Sequence, residues 1–455
     1  MFSFLRKLFS SNAQPPIPSP SKLLQAAPRP NSVLADDAAQ AVDTAVSEET
    51  QRRYVRLLMV TAENNNKFYD MRENANGTFT VNYGRVGGGS TSLEYPISEW
   101  QGKFNEKIRK GYVDHTSLIA GPLAFAEFAD IPDTLVRQLV SELMTFSKES
   151  IFQNYNVAAD QVTKRQVEKA QELLDHLSGQ LQKGMPVGDF NDRLLELYKV
   201  IPRKMKKVQE HLVQSADTEE AVQKIEQKLA EEQATLDVMR GQVEMVEQQK
   251  LQKPGKRLTA LEAMGLQLEP VTDTGLIMNI QKLMGSDRAK FRSAFKVTNT
   301  RTQLQFDRHI SMSQHKNVEL FWHGSRNENW LSILKAGLVL RPANAVITGK
   351  MFGYGLYFAD KCRKSLNYTS LNGSYWAKGS EKKAWLALYD VHIGKPLQIR
   401  KHEAWCTQLT AELLRQKGKE YDSVYAKGGI DLVNNEYIIY DERQCTVRYL
   451  VEISN

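Results

Sequence analysis

Residues 349–360 read GKMFGYGLYFAD, and residues 364–368 read KSLNY. The glycines predict a loop that folds tightly over a ligand, because glycine has no Cβ atom to keep the backbone away. Tyr357 and Tyr368 are eleven residues apart and could enclose a planar aromatic ring, although each taken alone is more typical of a core aromatic. The glycines do not follow a strand and open a helix as GxGxxG, so a Rossmann loop is the wrong explanation.

Two more motifs in the same part of the chain carry reactive side chains. His323 begins HGSR where the apolar run LFW ends. A histidine there can donate to a sugar hydroxyl, while Gly324 lets a flat ligand reach the backbone. Alone, His323 is more typical of a strand-terminal histidine bonded by a neighbour. Glu436 starts the alternating run EYIIYD, where a carboxylate can act on a ligand without being buried alone at high cost. A solvated edge glutamate is the alternative interpretation.

The four motifs HGS, GxGLYFAD, KSLNY and NEYIIYD occur in this order within residues 254–455. Together they resemble the mixed α+β ADP-ribosyltransferase catalytic domain of the poly(ADP-ribose) polymerase (PARP) family. The resemblance implies an enzyme, an NAD⁺ ADP-ribosyltransferase of the glycosyltransferase, pentosyltransferase type, with NAD⁺ as substrate. It implies the catalytic residues His323, Tyr357 and Glu436, and the NAD⁺-binding residues His323, Gly324, Ser325, Tyr357, Ser365 and Tyr368.

The resemblance also implies how these residues hold NAD⁺. Gly324 backbone groups and the Ser365 hydroxyl would hold the carboxamide. Tyr368 would stack on the nicotinamide ring, and Tyr357 would close its other side. His323 would hold the adenosine ribose.

The implied role of Glu436 concerns the bond that breaks. It would accept a hydrogen bond from the 2′-hydroxyl of the nicotinamide ribose and place negative charge beside the developing cation. A glutamate at this position is associated with chain elongation in the family, yet some members with the full triad add one unit. Polymer and single-unit products both stay open.

Residues 51–120 read as a small antiparallel sheet with one helix. The β-rich runs YVRLLMV, KFYDMRE and TFTVNYGRV are separated by the turn signals NNN, NANG and GGGS, and an amphipathic run follows from Ile97. Such punctuation predicts hairpins, and Asn76-Gly77 predicts a turn in which both residues have positive φ. The segment resembles the WGR domain of DNA-dependent PARPs, with Tyr83 in place of the family's tryptophan.

The WGR-like segment is the candidate DNA-binding region. Residues 51–118 contain ten basic and seven acidic residues, a net charge of +3, which favours a phosphate-rich partner. The resemblance implies damaged DNA, at nicks or ends with a 5′-phosphate. A tyrosine can still stack on a terminal nucleotide, with less ring area than tryptophan. The candidate DNA-binding residues are Tyr83, Arg85, Lys103 and Lys107.

Residues 124–252 show helical periodicity and almost no strand signals. Thr163 and Gln166 can form a capping box in front of one amphipathic helix, and residues 219–246 predict a second, longer one. An intramolecular all-α bundle is favoured, with a heptad dimer as the alternative. The segment resembles the helical regulatory (autoinhibitory) domain that blocks NAD⁺ in DNA-dependent relatives until break binding loosens it.

The bulk properties fit a multidomain α+β protein. The chain has 455 residues, 41% of them hydrophobic, and a formal charge of +7, a balance that favours polyanionic partners. No stretch approaches the roughly 18 apolar residues of a membrane span, so no membrane partner is expected. The three cysteines lack CxxC spacing and the histidines lack HExxH spacing, which indicates reduced thiols and no metal site.

Residues 1–50 are rich in proline, serine and alanine, a composition that predicts a disordered tail. Their first eleven residues, MFSFLRKLFSS, are basic and amphipathic, so an organelle presequence is an alternative. A eukaryotic source would place the protein in the nucleus, and a prokaryotic source in the cytoplasm. A Lys253-Pro254-Gly255 break separates the helical region from the catalytic one.

These observations predict an enzyme that attaches ADP-ribose, as a polymer, to proteins including itself. Damaged DNA would stimulate it, within the DNA damage response. Two rival hypotheses stay open. One is a DNA-end-binding scaffold with an inactive transferase domain, and the other is a mono-ADP-ribosyltransferase that does not depend on DNA.

Overall fold

The computed structural model describes residues 53–116, 128–157, 159–181, 184, 186–250, 257–340 and 351–455. The predicted tail at 1–50, the Lys253-Pro254-Gly255 break and the first two residues of GKMFGYGLYFAD lie outside these ranges. Among the described residues, the helices and strands form an N-terminal sheet, a helical region and a mixed α+β region. The described part of the chain is therefore mixed α+β, with helical and sheet regions, as predicted.

The N-terminal sheet is antiparallel throughout, with strand order β4-β3-β2-β1-β5. Trp100 begins the helix that covers one face, and its ring lies 5.1 Å from the ring of Phe79, edge to face. Both side chains are buried, so this face forms a small core. The elements are β1 (Tyr54–Val60), β2 (Asn66–Glu73), β3 (Thr78–Arg85), β4 (Ser90–Pro96), α1 (Trp100–Arg109) and β5 (Val113–Asp114).

The β2–β3 hairpin lies where Asn76-Gly77 predicted one, but its turn differs from the prediction. Gly77 has a φ of 76°, whereas Asn76 does not have a positive φ. Four residues, 74–77, connect the strands, and the Asn74 N–H donates to the Thr78 carbonyl oxygen at 2.9 Å. A connection of this length is usually built on a type I turn and needs no positive φ at both central residues.

The helical region contains α2 (Thr134–Asn154), α3 (Lys164–Leu181), α4 (Val187–Val200) and α5 (Glu219–Lys250). The predicted capping box precedes α3: the Gln166 N–H donates to Thr163 Oγ1, and the Thr163 N–H donates to Gln166 Oε1. Leu174 and Leu177 of α3 share one buried cluster with Leu236 of α5. The two long helices thus cover one another within one chain, as an intramolecular bundle.

The mixed region contains two sheets. Its helices are α6 (Ala260–Met264), α7 (Thr274–Met284), α8 (Thr300–Met312), α9 (Trp330–Ala336), α10 (Cys362–Leu366) and α11 (Ala411–Lys417). Its strands are β6 (Leu266–Pro270), β7 (Phe291–Asn299), β8 (Val318–Gly324), β9 (Leu356–Phe358), β10 (Lys383–His392), β11 (Pro396–Ile399), β12 (Ser423–Ala426), β13 (Glu436–Ile439) and β14 (Cys445–Ser454). One sheet is antiparallel, in the order β6-β7-β14-β10-β8, and the other has the order β11-β12-β13-β9.

Strand β10 lies inside the larger sheet between β14 and β8. Trp385 and Ala387 pack into one buried cluster, and Leu386 and Leu388 pack into another. A strand that is buried on both faces is apolar along its whole length, which explains why AWLALYDVHI shows no polar alternation. This rigid strand fixes the position of β8 and the HGS motif at its end.

The helical region contacts both neighbours within the compact unit Arg52–Asn455. On one side, the buried Asn66 side chain donates to the Arg203 carbonyl oxygen at 3.2 Å. On the other side, Ser332 Oγ of α9 donates to the Asp237 carbonyl oxygen of α5 at 2.9 Å, and the Lys335 ammonium lies 3.0 Å from Glu244. The helices therefore lie between the N-terminal sheet and the segment that follows HGS.

Two further findings concern the cysteine thiols and the membrane-spanning helices that the sequence analysis considered. All three cysteines, Cys362, Cys406 and Cys445, are free and buried. Within the described ranges, the helices include none with the length and apolar character needed to cross a membrane.

Candidate active site

The HGS motif lies where the two sheets of the mixed region meet. Trp322 and Ala359 exchange backbone hydrogen bonds of 2.8 and 3.0 Å, which join β8 to the end of GLYFAD. A Cβ atom at position 324 would overlap the Ser365 carbonyl oxygen. Glycine at 324 therefore lets the backbone of KSLNY touch the end of β8, and three motifs meet at one point.

His323 lies between aromatic rings, 5.7 Å from that of Phe358 and 5.9 Å from that of Tyr389. Burial lowers the pKa of His323, and the hydrogen bond to the Tyr357 carbonyl partly opposes this. A carbonyl oxygen can only accept, so Nδ1, at 3.1 Å, carries the proton and donates. In the neutral ring Nε2 is then an acceptor. The sequence led us to expect His323 to donate to a sugar hydroxyl. With Nδ1–H already donated to the Tyr357 carbonyl, Nε2 would instead accept a hydrogen bond from such a hydroxyl.

The glycine-rich loop packs against protein. Cβ atoms at Gly353 and Gly355 would overlap Leu409 and Ile438, respectively. The Tyr357 hydroxyl donates to the Gly353 carbonyl at 2.8 Å and accepts from the Phe352 N–H at 3.0 Å. These two glycines thus allow the loop to pack closely against Leu409 and Ile438, and its predicted fold over a ligand stays a prediction.

Glu436 begins β13, and its carboxylate forms an ion pair with the Lys364 ammonium of α10. The Lys364 and Glu436 side chains are 16% and 10% exposed, respectively. Because both are largely withdrawn from water, each depends on the other for charge compensation. Glu436 is therefore not a solvated edge residue but part of a shielded pair.

Both predicted tyrosines lie in segments next to this ion pair, since Tyr357 pairs with Ile438 across β9 and β13 and Tyr368 is four residues after Lys364. Burial raises the pKa of Tyr368 to about 12, and the charge of Glu436 acts in the same direction. Burial also raises the pKa of Tyr357. The hydrogen bond from the Phe352 N–H partly opposes this rise, and the charges of Glu436 and Tyr368 add to it. Tyr368 is 41% exposed, so its ring is accessible beside the ion pair.

The two serines of the predicted NAD⁺ site differ in availability. Ser325 Oγ accepts a hydrogen bond from the Asn329 side chain at 3.1 Å. Ser365 is 4% exposed, and no bond to its hydroxyl is found within the described residues. Ser365 Oγ is therefore the freer of the two for a ligand.

Two of the predicted DNA-binding residues, Tyr83 and Arg85, lie on β3 of the N-terminal sheet and are engaged within the protein. The Tyr83 ring packs 6.0 Å from that of Tyr69, on the helix-covered face. Arg85 donates to Asn64 Oδ1 at 2.9 Å and to the Lys206 carbonyl at 2.6 Å. The motif arginine therefore joins the sheet to the helical region in this structure.

The two predicted lysines of α1 lie over tyrosine rings. The Lys103 ammonium is 4.1 Å from the centre of the Tyr95 ring, and the Lys107 ammonium is 4.5 Å from that of Tyr69. Their side chains are 25% and 19% exposed. Such contacts hold the ammonium groups in place while leaving part of each available to an anion.

Sequence reasoning assigned no role to Lys364, although it lies in KSLNY. Lys364 and Tyr368 are four positions apart, about one helical turn. This spacing could have indicated that Lys364 lies near the same site as Tyr368. A carboxylate held by an ammonium, beside an accessible aromatic ring and an imidazole acceptor, can bind a ribose and stabilise positive charge on it.

Comparisons with known proteins agree with this geometry. The poly(ADP-ribose) polymerase catalytic domain model matches residues 278–455. A poly(ADP-ribose) polymerase-like protein, 100L of Invertebrate iridescent virus 6, is 33% identical over 185 residues, which cover 39% of this chain and 92% of that protein. Poly(ADP-ribose) polymerase 2 of Arabidopsis thaliana is 26% identical over 478 residues, 86% of this chain and 71% of that protein. Poly(ADP-ribose) polymerase 2 of Homo sapiens is 32% identical over 154 residues, 30% of this chain and 26% of that protein.

Proposed function

Since this chain belongs to the poly(ADP-ribose) polymerase family, we propose that it transfers ADP-ribose units from NAD⁺ to proteins, itself included, and that damaged DNA stimulates the transfer. The observation that carries the proposal is the shielded Lys364–Glu436 pair beside the accessible ring of Tyr368. A carboxylate in this setting is oriented before substrate arrives, so its charge is available when positive charge develops.

The residues around the pair suit the parts of NAD⁺. The backbones of Ser365 and Gly324 lie in contact at the end of β8, and the Ser365 hydroxyl and the Gly324 backbone groups would hold the carboxamide. The Tyr368 ring would stack on the nicotinamide. His323 would accept a hydrogen bond from an adenosine-ribose hydroxyl through Nε2, because its Nδ1–H is already donated to the Tyr357 carbonyl.

Glu436 would act on the nicotinamide ribose. When the bond between nicotinamide and ribose breaks, the pair of bonding electrons leaves with nicotinamide and the ribose carbon becomes positive, as in glycoside cleavage. The Glu436 carboxylate would stabilise that charge and hold the 2′-hydroxyl. Lys364 would keep the carboxylate in place, and we assign it as a positioning residue. Extension into a polymer would require the same carboxylate to polarise an incoming ribose hydroxyl.

The contacts of the helical region support regulation by DNA. The N-terminal sheet, as a WGR-like domain, bonds the Arg203 and Lys206 carbonyls, and α5 bonds the α9 segment just after HGS. A change at the sheet could therefore loosen the helices next to α9, a coupling through local unfolding. The helical region would restrain activity in the absence of DNA.

One experiment tests the catalytic proposal. The full chain is incubated with labelled NAD⁺, with and without 5′-phosphorylated nicked DNA, beside the variant Glu436→Gln. Labelled protein in a ladder, stronger with DNA and lost in the variant, is the expected result. Absence of both nicotinamide release and label would support the inactive scaffold and overturn the transferase proposal.

A matched pair of glycine variants tests the restraint. In Gly241→Ala the new methyl group would overlap Ser332 Oγ, whereas at Gly188 a Cβ atom meets nothing within 4 Å. Gly241→Ala should raise the DNA-free rate severalfold by loosening α5 from α9, and Gly188→Ala should not. Equal DNA-free rates in the two variants would contradict restraint through this contact.

A second candidate function is a mono-ADP-ribosyltransferase that does not depend on DNA. It is favoured by the engagement of Tyr83 with Tyr69 and of Arg85 with the Lys206 carbonyl, since engaged side chains are not free to bind a nucleotide. A single labelled band of equal intensity with and without nicked DNA would support it.

A further inference from the structure

Two aromatic side chains project into solvent from the loop between α10 and β10. Tyr375 is 70% exposed and Trp376 is 64% exposed. Their rings pack edge to face, with centres 4.7 Å apart. Exposing two large rings side by side forgoes burial that would stabilise the fold, and adjacent exposed aromatics mark a surface that binds something.

The loop that carries these rings is held firmly. The Trp376 and Ala377 N–H groups both donate to the Asn367 carbonyl, at 3.0 and 3.2 Å. Below them, Thr369 and Ser374 are buried and their hydroxyls lie 3.0 Å apart. Since Asn367 directly precedes Tyr368, the aromatic pair is fixed next to the predicted nicotinamide-stacking residue.

The segment that carries the two rings is strongly basic. Residues 361–383 contain six lysine and arginine residues and one acidic residue, Glu381. Three of the basic side chains are in ion pairs with acids outside the segment. The other three are exposed and have no ion pair within the described residues; they are Lys361, Lys378 and Lys382.

We propose that Tyr375 and Trp376, with Lys378 and Lys382, form a binding site for ADP-ribose units that are already attached to the acceptor. This inference rests on the proposed transferase function. Each unit of such a chain carries an adenine and a pyrophosphate. Adenine stacks on indole and phenol rings, and the pyrophosphate is attracted by unpaired ammonium groups.

Charge and shape favour this occupant over an apolar peptide. An apolar partner would not require three exposed, unpaired ammonium groups in the segment that carries the rings, whereas a chain of alternating aromatic and dianionic groups can use both. The site adjoins Tyr368 of the candidate active site, where each new unit would be joined, so a bound chain would stay close to the reacting end. The expected consequence is longer products in each binding event.

A direct binding measurement tests the site. The full chain is used in the Glu436→Gln background, so that no new units are made, with purified ADP-ribose chains of narrow length range and no DNA. Trp376→Ala should weaken binding about tenfold, the effect of removing one base-stacking ring, and Trp376→Phe should weaken it less. The matched control is Phe152→Ala, which removes a ring that is 73% exposed and lies under the Lys204 ammonium in the helical region.

Two other polyanions identify the occupant. Inorganic polyphosphate carries charge without adenine, so Lys378→Gln with Lys382→Gln should weaken its binding, while Trp376→Ala should not. Equal affinity of wild type and Trp376→Ala for ADP-ribose chains would overturn the inference. Tighter binding of single-stranded oligo-deoxyadenylate than of ADP-ribose chains of matched charge would also overturn it.

Nicotinamide release by the chain with wild-type Glu436 separates this inference from the proposed function. If release is normal and the Trp376 variants bind chains as wild type does, only the inference fails. If release is absent and Trp376→Ala still loses binding, the transferase function fails and the site for ADP-ribose chains stands.

Discussion

Two buried ion pairs in this chain have opposite surroundings. Arg203 and Glu232, in the helical region, are 8% and 6% exposed, and their side chains approach to 3.1 Å. The Tyr155 ring lies 4.9 Å below the guanidinium. Lys364 and Glu436 are similarly shielded, but Tyr368 beside them is 41% exposed. One pair is enclosed by protein, and the other borders a surface.

The difference separates a structural pair from a chemical one. An enclosed pair is costly to break, because removal of one partner leaves a buried charge uncompensated. A pair that borders an accessible ring can also act on a molecule that stacks there. Changes in the Arg203–Glu232 pair of the helical region should therefore appear mainly in stability, and changes in the Lys364–Glu436 pair mainly in catalysis.

The largest expected effect comes from Arg203→Met. It leaves the Glu232 carboxylate buried without its cation and should lower the free energy of unfolding by about 3–5 kcal/mol, as measured by urea denaturation. The control is Lys207→Met, which removes a cation that is 67% exposed in the same segment and should cost less than about 1 kcal/mol. Equal losses in the two variants would contradict the structural role of the helical pair.

Glu436→Gln should have the next largest effect, this time on rate. Loss of one preorganised charge should lower kcat for nicotinamide release about 10²- to 10³-fold. The Lys364 ammonium loses its counter-charge but keeps the glutamine amide oxygen as an acceptor, so the free energy of unfolding should fall by less than in Arg203→Met. Glu381→Gln, at an exposed glutamate of the same region, is the control and should keep the wild-type kcat. A Glu436→Gln enzyme with near wild-type kcat would contradict the catalytic role of the Lys364–Glu436 pair.

A third test uses His115, a buried group that is in neither pair. Its ring nitrogens have no partner within the described residues, and burial, aided by the charge of Lys199, lowers its pKa to about 4. Below pH 6.5 the His115 ring is protonated in the unfolded chain, whereas in the folded chain it stays neutral until the pH falls to about 4. The contribution of His115 is therefore complete above pH 6.5 and is lost as pH falls through this window, by about 3 kcal/mol.

His115→Gln should flatten the fall in unfolding free energy between pH 6.5 and 4, measured by urea denaturation at several pH values. The control is His176→Gln, at an exposed histidine of α3. The same slope in His115→Gln and in wild type would show that this ring takes up its proton equally in both states.

The smallest effect is expected on the N-terminal sheet. The Lys107 ammonium is shared between the Tyr69 ring and Glu106, 3.5 Å away. If it contacts one phosphate, Lys107→Gln should weaken binding of nicked DNA about two- to threefold and reduce the salt dependence by about one ion. Lys164→Gln, at a lysine that is 69% exposed on α3, is the control. A loss equal to that of the control would remove Lys107 from the DNA interface.

Much of the fold was predictable because its signals are local. The runs VELFWH, GLYFAD, AWLALYDVHI, NEYIIYD and TVRYLVEI all contain strands of the structure, since each is a short apolar or alternating run between turn residues. The Thr163–Gln166 capping box was also readable, because both partners lie within one turn. The turn at Asn76-Gly77 was predicted in place but not in type, since loop length depends on where the strands stop pairing.

Long-range contacts were not predictable in the same way. Lys364 and Glu436 are 72 residues apart, and no sequence pattern in either segment indicates that the two side chains pair. The engagement of Arg85 by Lys206, 121 residues away, is a similar case. Which ring nitrogen of His323 donates and which accepts could also be assigned only from the contact between its Nδ1 and the Tyr357 carbonyl oxygen.

The sequence by itself determined which segments become strands or helices, and the four motifs that resemble a known transferase, because periodicity and turn chemistry are properties of neighbouring residues. The tertiary structure alone decided which charges are paired, which rings stay exposed and which glycines face protein. These depend on distances between segments far apart in the chain, and burial acts on whole surfaces once they have come together.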